Sequence, residues 1–366
     1  MRWLHNVGEI LADNWSTVQD IGLNGHQLRH LNNISRCHTS SLGGTLLECQ
    51  KCDHHNYIFH SCRNRHCPSC QGSKIEDWIK RQQSYLLDVP YYHVVFTMPS
   101  ELNKLCLHKP RIMYDVLFKA SWKTLQIFAA DSKYLGATSG MTAVLHTWSQ
   151  NLGMHPHLHC IVPGGGLTKN GKWKTTRSKG KYLFPTKAMA IVYRAIFLAE
   201  LIKLSETGAI NFPSHLRKSL YDKRWVVYAK RPFATPDHVI EYLGRYTHKI
   251  AISNYRIIDI KDGKVFFKWK DYRHSAQVKI MELSIREFIR RLAMHILPHK
   301  FVRIRHFGIL SCHGRSKTIP MIQKDQDYKP NSKPVYNQLV RIPCCRLCKS
   351  TDLISYPLNP TKSRSP

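Results

Sequence analysis

Three residue types in this chain are spaced in ways that could support chemistry. The stretch from Met154 to Gly166 reads MHPHLHCIVPGGG and sets His155, His157 and His159 at alternate positions. Alternate side chains of a strand share one face. A strand over His155 to Val162 would turn a row of imidazoles to one side and Leu158 and Cys160 to the other. Imidazole is a common ligand for divalent metals, although a chain with 22 histidines can also produce such a row by chance. Cys49-x-x-Cys52 and Cys67-x-x-Cys70, with 14 residues between the pairs, have the spacing of one tetrahedral four-thiolate zinc site. Cys37, Cys62 and His66 are left over for a second zinc site. Tyr242 and Tyr246 lie four apart and share a face if their segment is helical; a packing stripe with Val239 would look the same.

A free phenol titrates near pH 10 and is mostly protonated at neutral pH. It becomes a nucleophile toward a phosphodiester when a metal polarises the phosphorus. Arg245, His248 or Lys249 could assist at the phosphate. Metal, tyrosine and phosphate together make covalent catalysis, in which a 5′-phosphotyrosine forms and a 3′-OH is released. The link keeps the phosphodiester energy, so a 3′-OH can later reverse it and join strands.

The composition agrees with a polyanionic partner. There are 55 Lys and Arg against 24 Asp and Glu, a net charge of +31. That imbalance costs self-repulsion, and nucleic acid is the first polyanion to consider. The basic residues Arg63, Arg65 and Lys74 surround the cysteine cluster and are expected to face DNA. No apolar run is long enough to span a bilayer. The start, MRWLHNVGEILADNW, lacks the apolar core of a signal peptide, so a cytoplasmic protein is expected. Of the 12 cysteines, six lie between Cys37 and Cys70, which in that compartment points to metal rather than disulfides.

These groups need elements to hold them. YYHVVFTM, Tyr91 to Met98, reads as a strand. A helix is expected over Ile75 to Leu87, ended by Pro90, and others over Pro110 to Ala130 and Thr186 to Ser205. Met141 to Gln150, a turn at 151–156 and the histidine strand form an antiparallel hairpin. Thr235-Pro236 starts a helix running to about Thr247, which carries the tyrosines. Ile250 to Ile258 and Lys264 to Trp269 suggest a second hairpin, turned at Asp262-Gly263, followed by a basic amphipathic helix over Ser284 to Leu297.

With zinc module, histidine row and tyrosine pair in this order, the chain resembles the two-tyrosine HUH transposases of rolling-circle insertion sequences that carry an N-terminal zinc-binding domain. The resemblance rests on CHTSSLGG (37–44), SCRNRHCPSCQG (61–72), PYYHVVFTMP (90–99), LHTWSQNLGMHPHLHCIVPGGGL (145–167), YLGRYTHKIAISNYRI (242–257) and VRIRHFGIL (302–310). It implies an α+β fold, an HUH antiparallel sheet flanked by helices with the histidine strand central, beside a small zinc module. It implies a zinc module over 1–75, a catalytic domain over 90–310 and a basic, cysteine-containing tail over 311–366. It maps the metal ligands onto His157 and His159, leaving the third open among His155, His146 and Gln150. It implies Mg²⁺ or Mn²⁺ at that centre, Tyr242 and Tyr246 as the nucleophiles, and single-stranded DNA at element ends as substrate. Arg245, Lys249, Arg303 and Arg305 fall in the matching stretches and join Arg63 and Arg65 as expected DNA contacts. Cys344-Cys345-Arg346-Leu347-Cys348 offers one C-x-x-C without a following partner and reads as an unfinished finger, though Cys312 and His313 could complete a site. The runner-up functions are an HUH replication initiator or relaxase and, further off, a zinc-containing DNA-binding regulator without catalysis.

Overall fold

The computed structural model describes residues 5–70, 78–79, 81–177, 183–230, 238–239, 244, 250–272, 274–327 and 343–361. The chain opens with three helices, α1 (Val7–Asp13), α2 (Trp15–Asp20) and α3 (Gly25–Ser35). Asn6 caps α1 by accepting from the Glu9 N–H at 3.0 Å. Asn24 and Gln27 form a reciprocal capping box on α3. A hairpin follows, β1 (Gly44–Cys49) and β2 (His55–Phe59).

Next come β3 (Tyr91–Thr97), α4 (Asn103–His108), α5 (Pro110–Ala130), β4 (Gly140–Trp148) and β5 (Met154–Pro163). The short strands β6 (Gly165–Leu167) and β7 (Trp173–Thr175) pair with each other. After α6 (Thr186–Glu206), α7 (Ser214–Asp222) and β8 (Val227–Ala229) come β9 (Ile257–Lys261), β10 (Lys264–Asp271), β11 (Gln277–Ser284) and α8 (Ile285–Met294). The chain continues through β12 (Ile304–Gly308), α9 (Arg315–Asp325) and β13 (Leu353–Leu358).

The fold is α+β. Its largest sheet has the order β12-β4-β5-β3-β8, with every neighbouring pair antiparallel and the histidine strand β5 in the centre. The alternation in β5 decides the two faces. Leu158, Cys160 and Val162 join Tyr92, Val94, Phe96, Met141, Ala143 and Leu145 in one buried core with residues of α5 and α6. That packing fixes register, because a slip of one residue would move the imidazoles into the core.

A second core joins Val7, Ile10, Leu11, Leu31 and Ile34 to Phe267, Phe288, Ile289 and Leu292. The expected 1–75 module is therefore built into the β9–β11 and α8 lobe. A third core holds Ile161 and Val239 together with Ile309, Leu310, Ile319 and Ile322. No helix among the described residues is long and apolar enough to cross a membrane.

Several expectations meet differences. The second hairpin starts at Ile257 rather than Ile250, because Ala251 and Ile252 are buried in coil against the second core. Strand β11, missed in the sequence, pairs with β10 over its whole length. Pro156 does not end the histidine strand; its carbonyl accepts from the Met98 N–H at 3.1 Å. Helix α9 adds Ile319 and Ile322 to the third core, and β13 pairs with β1.

Candidate metal centre and thiolate clusters

His157 and His159 sit on β5 and face the same side. His146 on β4 lies directly opposite His157 across the strand pair. One ring nitrogen from each of the three falls within 4.8 Å of the others. The Nε2 atoms of His157 and His159 are 3.1 Å apart. That is about the separation of adjacent ligands in an octahedral shell of roughly 2.1 Å radius, so the donors fit a single divalent ion. His157 Nδ1–H donates to the His155 carbonyl at 2.6 Å, which fixes the tautomer and makes Nε2 the nitrogen that carries the lone pair for a metal.

His159 is held from behind. Its Nδ1 lies 2.9 Å from Nε2 of His93 on β3. Burial pushes the His93 imidazole down to about 4, with Lys230 adding to the effect, so His93 is neutral at pH 7. A neutral His93 can accept the His159 Nδ1–H, an outer-shell contact that orients a metal-binding imidazole. His146 is buried and stacks on Trp148 at 4.7 Å. Of the three candidates for the third position, the geometry brings in His146. His155 is exposed on the same strand and does not belong to the cluster, and Gln150 lies beyond the end of β4.

The thiols group differently from the expected pairing. Cys37, Cys62, Cys67 and Cys70 form one cluster, and Cys49, Cys52, Cys345 and Cys348 another, each with sulfurs within 4.8 Å. Cys49–Cys52 and Cys67–Cys70 are not brought together because β1 and β2 carry the first pair away toward the chain's tail. His66 is left out. Its Nε2 instead accepts from the Leu297 N–H at 3.4 Å, and burial holds it well below its ordinary range. Four sulfurs at a mean tetrahedral zinc distance of ~2.3 Å would lie about 3.8 Å apart, so both clusters fit zinc.

Two family profiles match the chain: a transposase zinc-binding domain over residues 10–98, and a putative transposase over residues 140–317. A putative transposase (y4qJ) of Sinorhizobium fredii is 42% identical over 315 residues, 82% of this chain and 79% of that one. This chain belongs to the insertion-sequence transposase family. The transposase of insertion sequence IS801 from Pseudomonas savastanoi pv. phaseolicola is 29% identical, covering 83% of this chain and 75% of its own. A solved conjugative relaxase, TrwC in complex with oriT DNA, aligns over 43% of this chain and 71% of its own, with 12% identity and a TM-score of 0.24. The transposase is a DNA strand-transfer enzyme that carries structural zinc.

The expected DNA contacts in the transposase fall into two groups. Arg63 is exposed, with its backbone at φ 51°. Arg65 instead donates to the Phe301 carbonyl at 2.8 Å. Arg303 is only 8% exposed, and burial lowers it to about 10. Arg305 pairs with Asp115 at 2.5 Å and lies over the Phe118 ring at 4.2 Å. The Arg65 and Arg305 guanidinium groups thus have partners within the protein, and Arg303 is buried. Tyr242, Arg245, Tyr246 and Lys249 lie outside the described residues. Nothing in the sequence pointed to His93, and the Cys345 and Cys348 pair showed there without its partners Cys49 and Cys52. His93 shares its face with the imidazoles only through the β3–β5 register; Cys345 and Cys348 repeat the C-x-x-C spacing of Cys49 and Cys52.

Proposed function

We propose that the transposase nicks and rejoins single-stranded DNA at element ends, with Tyr242 and Tyr246 as nucleophiles and His146, His157 and His159 holding the catalytic ion. A phenol oxygen attacks the scissile phosphorus, the bond from phosphorus to the 3′ oxygen breaks, and a 5′-phosphotyrosine remains. The phenol loses its proton and the leaving 3′ oxygen gains one, so the step is redox-neutral. A divalent ion at this centre supplies Lewis acidity at the phosphate. His155 and His93 fix the orientation of His157 and His159, so the site is preorganised and little of it must move on binding DNA.

The observation that carries the reading is Val239. It is 1% exposed and buried in the same core as Ile161. Ile161 lies on the imidazole face of β5, two residues beyond His159. In the sequence Tyr242 and Tyr246 follow Val239 by three and seven residues, the spacing that shares one face in the helix expected over this segment. Three imidazoles, with no carboxylate grouped with them among the described residues, make a softer donor set than Mg²⁺ usually selects, which favours Mn²⁺ of the two expected ions. The net charge of +31 supports a DNA partner.

The test is incubation with single-stranded oligonucleotides from element ends, with Mn²⁺ or Mg²⁺, followed by denaturing gels that retain covalent protein–DNA adducts. Wild-type protein is expected to form adducts and release a 3′-OH fragment. Tyr242→Phe/Tyr246→Phe is expected to bind the same DNA and form none. Adducts surviving in that double variant would overturn the nucleophile assignment.

A further inference from the structure

The tail segment 343–361 docks on the N-terminal hairpin almost without apolar support. Among its described residues Cys345 alone is buried, and none of them enters the three hydrophobic cores. Strand β13 presents no buried side chain. Yet it pairs with β1 over six residues, from Gly44 opposite Leu358 to Cys49 opposite Leu353. Something other than hydrophobic burial must hold it.

The local backbone shows what that is. Cys49-x-x-Cys52 closes with the Asp53 N–H donating to the Cys49 carbonyl at 3.0 Å and the Cys49 N–H to the His54 carbonyl at 3.1 Å. Cys345-x-x-Cys348 repeats both bonds. The Lys349 N–H donates to Cys345 at 3.0 Å, and the Cys345 N–H to Ser350 at 2.7 Å. The residue after each pair adopts positive φ, 53° at Asp53 and 62° at Lys349. Two turns 293 residues apart thus take one shape and meet sulfur to sulfur: Cys52–Cys345 at 3.6 Å and Cys49–Cys348 at 3.5 Å. Those separations are far longer than a disulfide's ~2.05 Å and suit four thiolates on one ion. The Leu347 N–H also points at the Cys345 sulfur, 3.4 Å away, the contact a thiolate would accept.

We propose that a second zinc ion, bound by Cys49, Cys52, Cys345 and Cys348, staples the tail to the N-terminal hairpin. It makes the zinc-binding domain a composite of both ends of the chain. Cys345 and Cys348 lie outside the segments matched by either family profile, 10–98 and 140–317. The staple is independent of the nicking reading, since neither the imidazoles nor the tyrosines take part in it.

The test uses the full chain. Native mass spectrometry is expected to find two zinc ions per wild-type chain and one in Cys345→Ser/Cys348→Ser. Hydrogen exchange in that variant is expected to show lost amide protection in β1 and β13, with α5 and α6 unchanged. Two zinc ions retained in the double variant would overturn the proposal. Because the variant could fail to fold, the wild-type protein gives a second reading by alkylation and mass mapping. With zinc bound, exposed Cys344 and Cys312 should label at once while Cys345 and Cys348 resist; a chelator should then release Cys49, Cys52, Cys345 and Cys348 together. Cys348 labelling as fast as Cys344 in the zinc-loaded protein would equally refute the staple.

Discussion

The imidazole centre and the tail-closing thiolate cluster are built from opposite materials. Around His157 and His159, rigidity comes first: three strands of the large sheet set the donors, and a dry core behind β5 fixes their register. Between Cys49 and Cys348 the ligands themselves supply the fixing, because the described residues 343–361 enter none of the hydrophobic cores. A preformed site can lose its ion and keep its shape. A site whose ligands are its only cement cannot. The comparison teaches that the first suits an exchangeable catalytic ion and the second a permanent structural one.

Chemistry should break first and hardest at the imidazoles. His157→Ala or His159→Ala is expected to slow Mn²⁺-dependent nicking by at least ~10³-fold, the scale of several kcal/mol of lost charge stabilisation, while zinc content and melting temperature stay near wild type. Unchanged nicking would remove these residues from the ligand set. A middle effect is expected behind the centre. His93→Ala should weaken metal affinity or activity by about 10- to 100-fold, and raised Mn²⁺ should restore part of the rate. A loss that no Mn²⁺ concentration relieves would show His93 acting through folding instead.

At His295 the effect is read in stability rather than in rate, and leaves chemistry near neutral pH the least changed. Its Nε2 donates to the Leu152 carbonyl at 3.0 Å and its Nδ1 accepts from Thr147 at 3.1 Å, holding the β4–β5 turn to the end of α8. Burial lowers this imidazole from 6.5 to about 4. A group held below its unfolded value contributes stability above pH 6.5 and loses it as the pH falls toward 4, on the order of 3 kcal/mol in all. Denaturant titrations across that range should show wild-type stability falling more steeply than that of His295→Gln. Parallel curves would exclude His295 as a contributor.

How much of this was legible follows from distance along the chain. His157, Leu158 and His159 could be read as strand and face because period two is local. His146 could only be one of three candidates, since choosing it requires the β4–β5 register. The helices α1 and α3 went unread, although Asn is followed three residues later by Glu or Gln at Asn6-Glu9 and Asn24-Gln27. The thiols misled because spacing reports which cysteines share a turn and not which turns meet. Cys37 and Cys70 meet across 33 residues, and Cys49 and Cys348 across 299. The charge of Arg65 and Arg303 shows in a sequence, whereas their burial depends on the folded lobes around them.

The separation of 299 residues between Cys49 and Cys348 has a consequence in time. At a synthesis rate of roughly 5–20 residues per second, the first two thiols wait about 15–60 s for the last two to be made. Through that interval the N-terminal hairpin is half-liganded, with the β1 edge open to any strand that can pair with it. Chains that stop before Cys345 never leave that state, so the staple distinguishes finished copies from unfinished ones at the end that is made first.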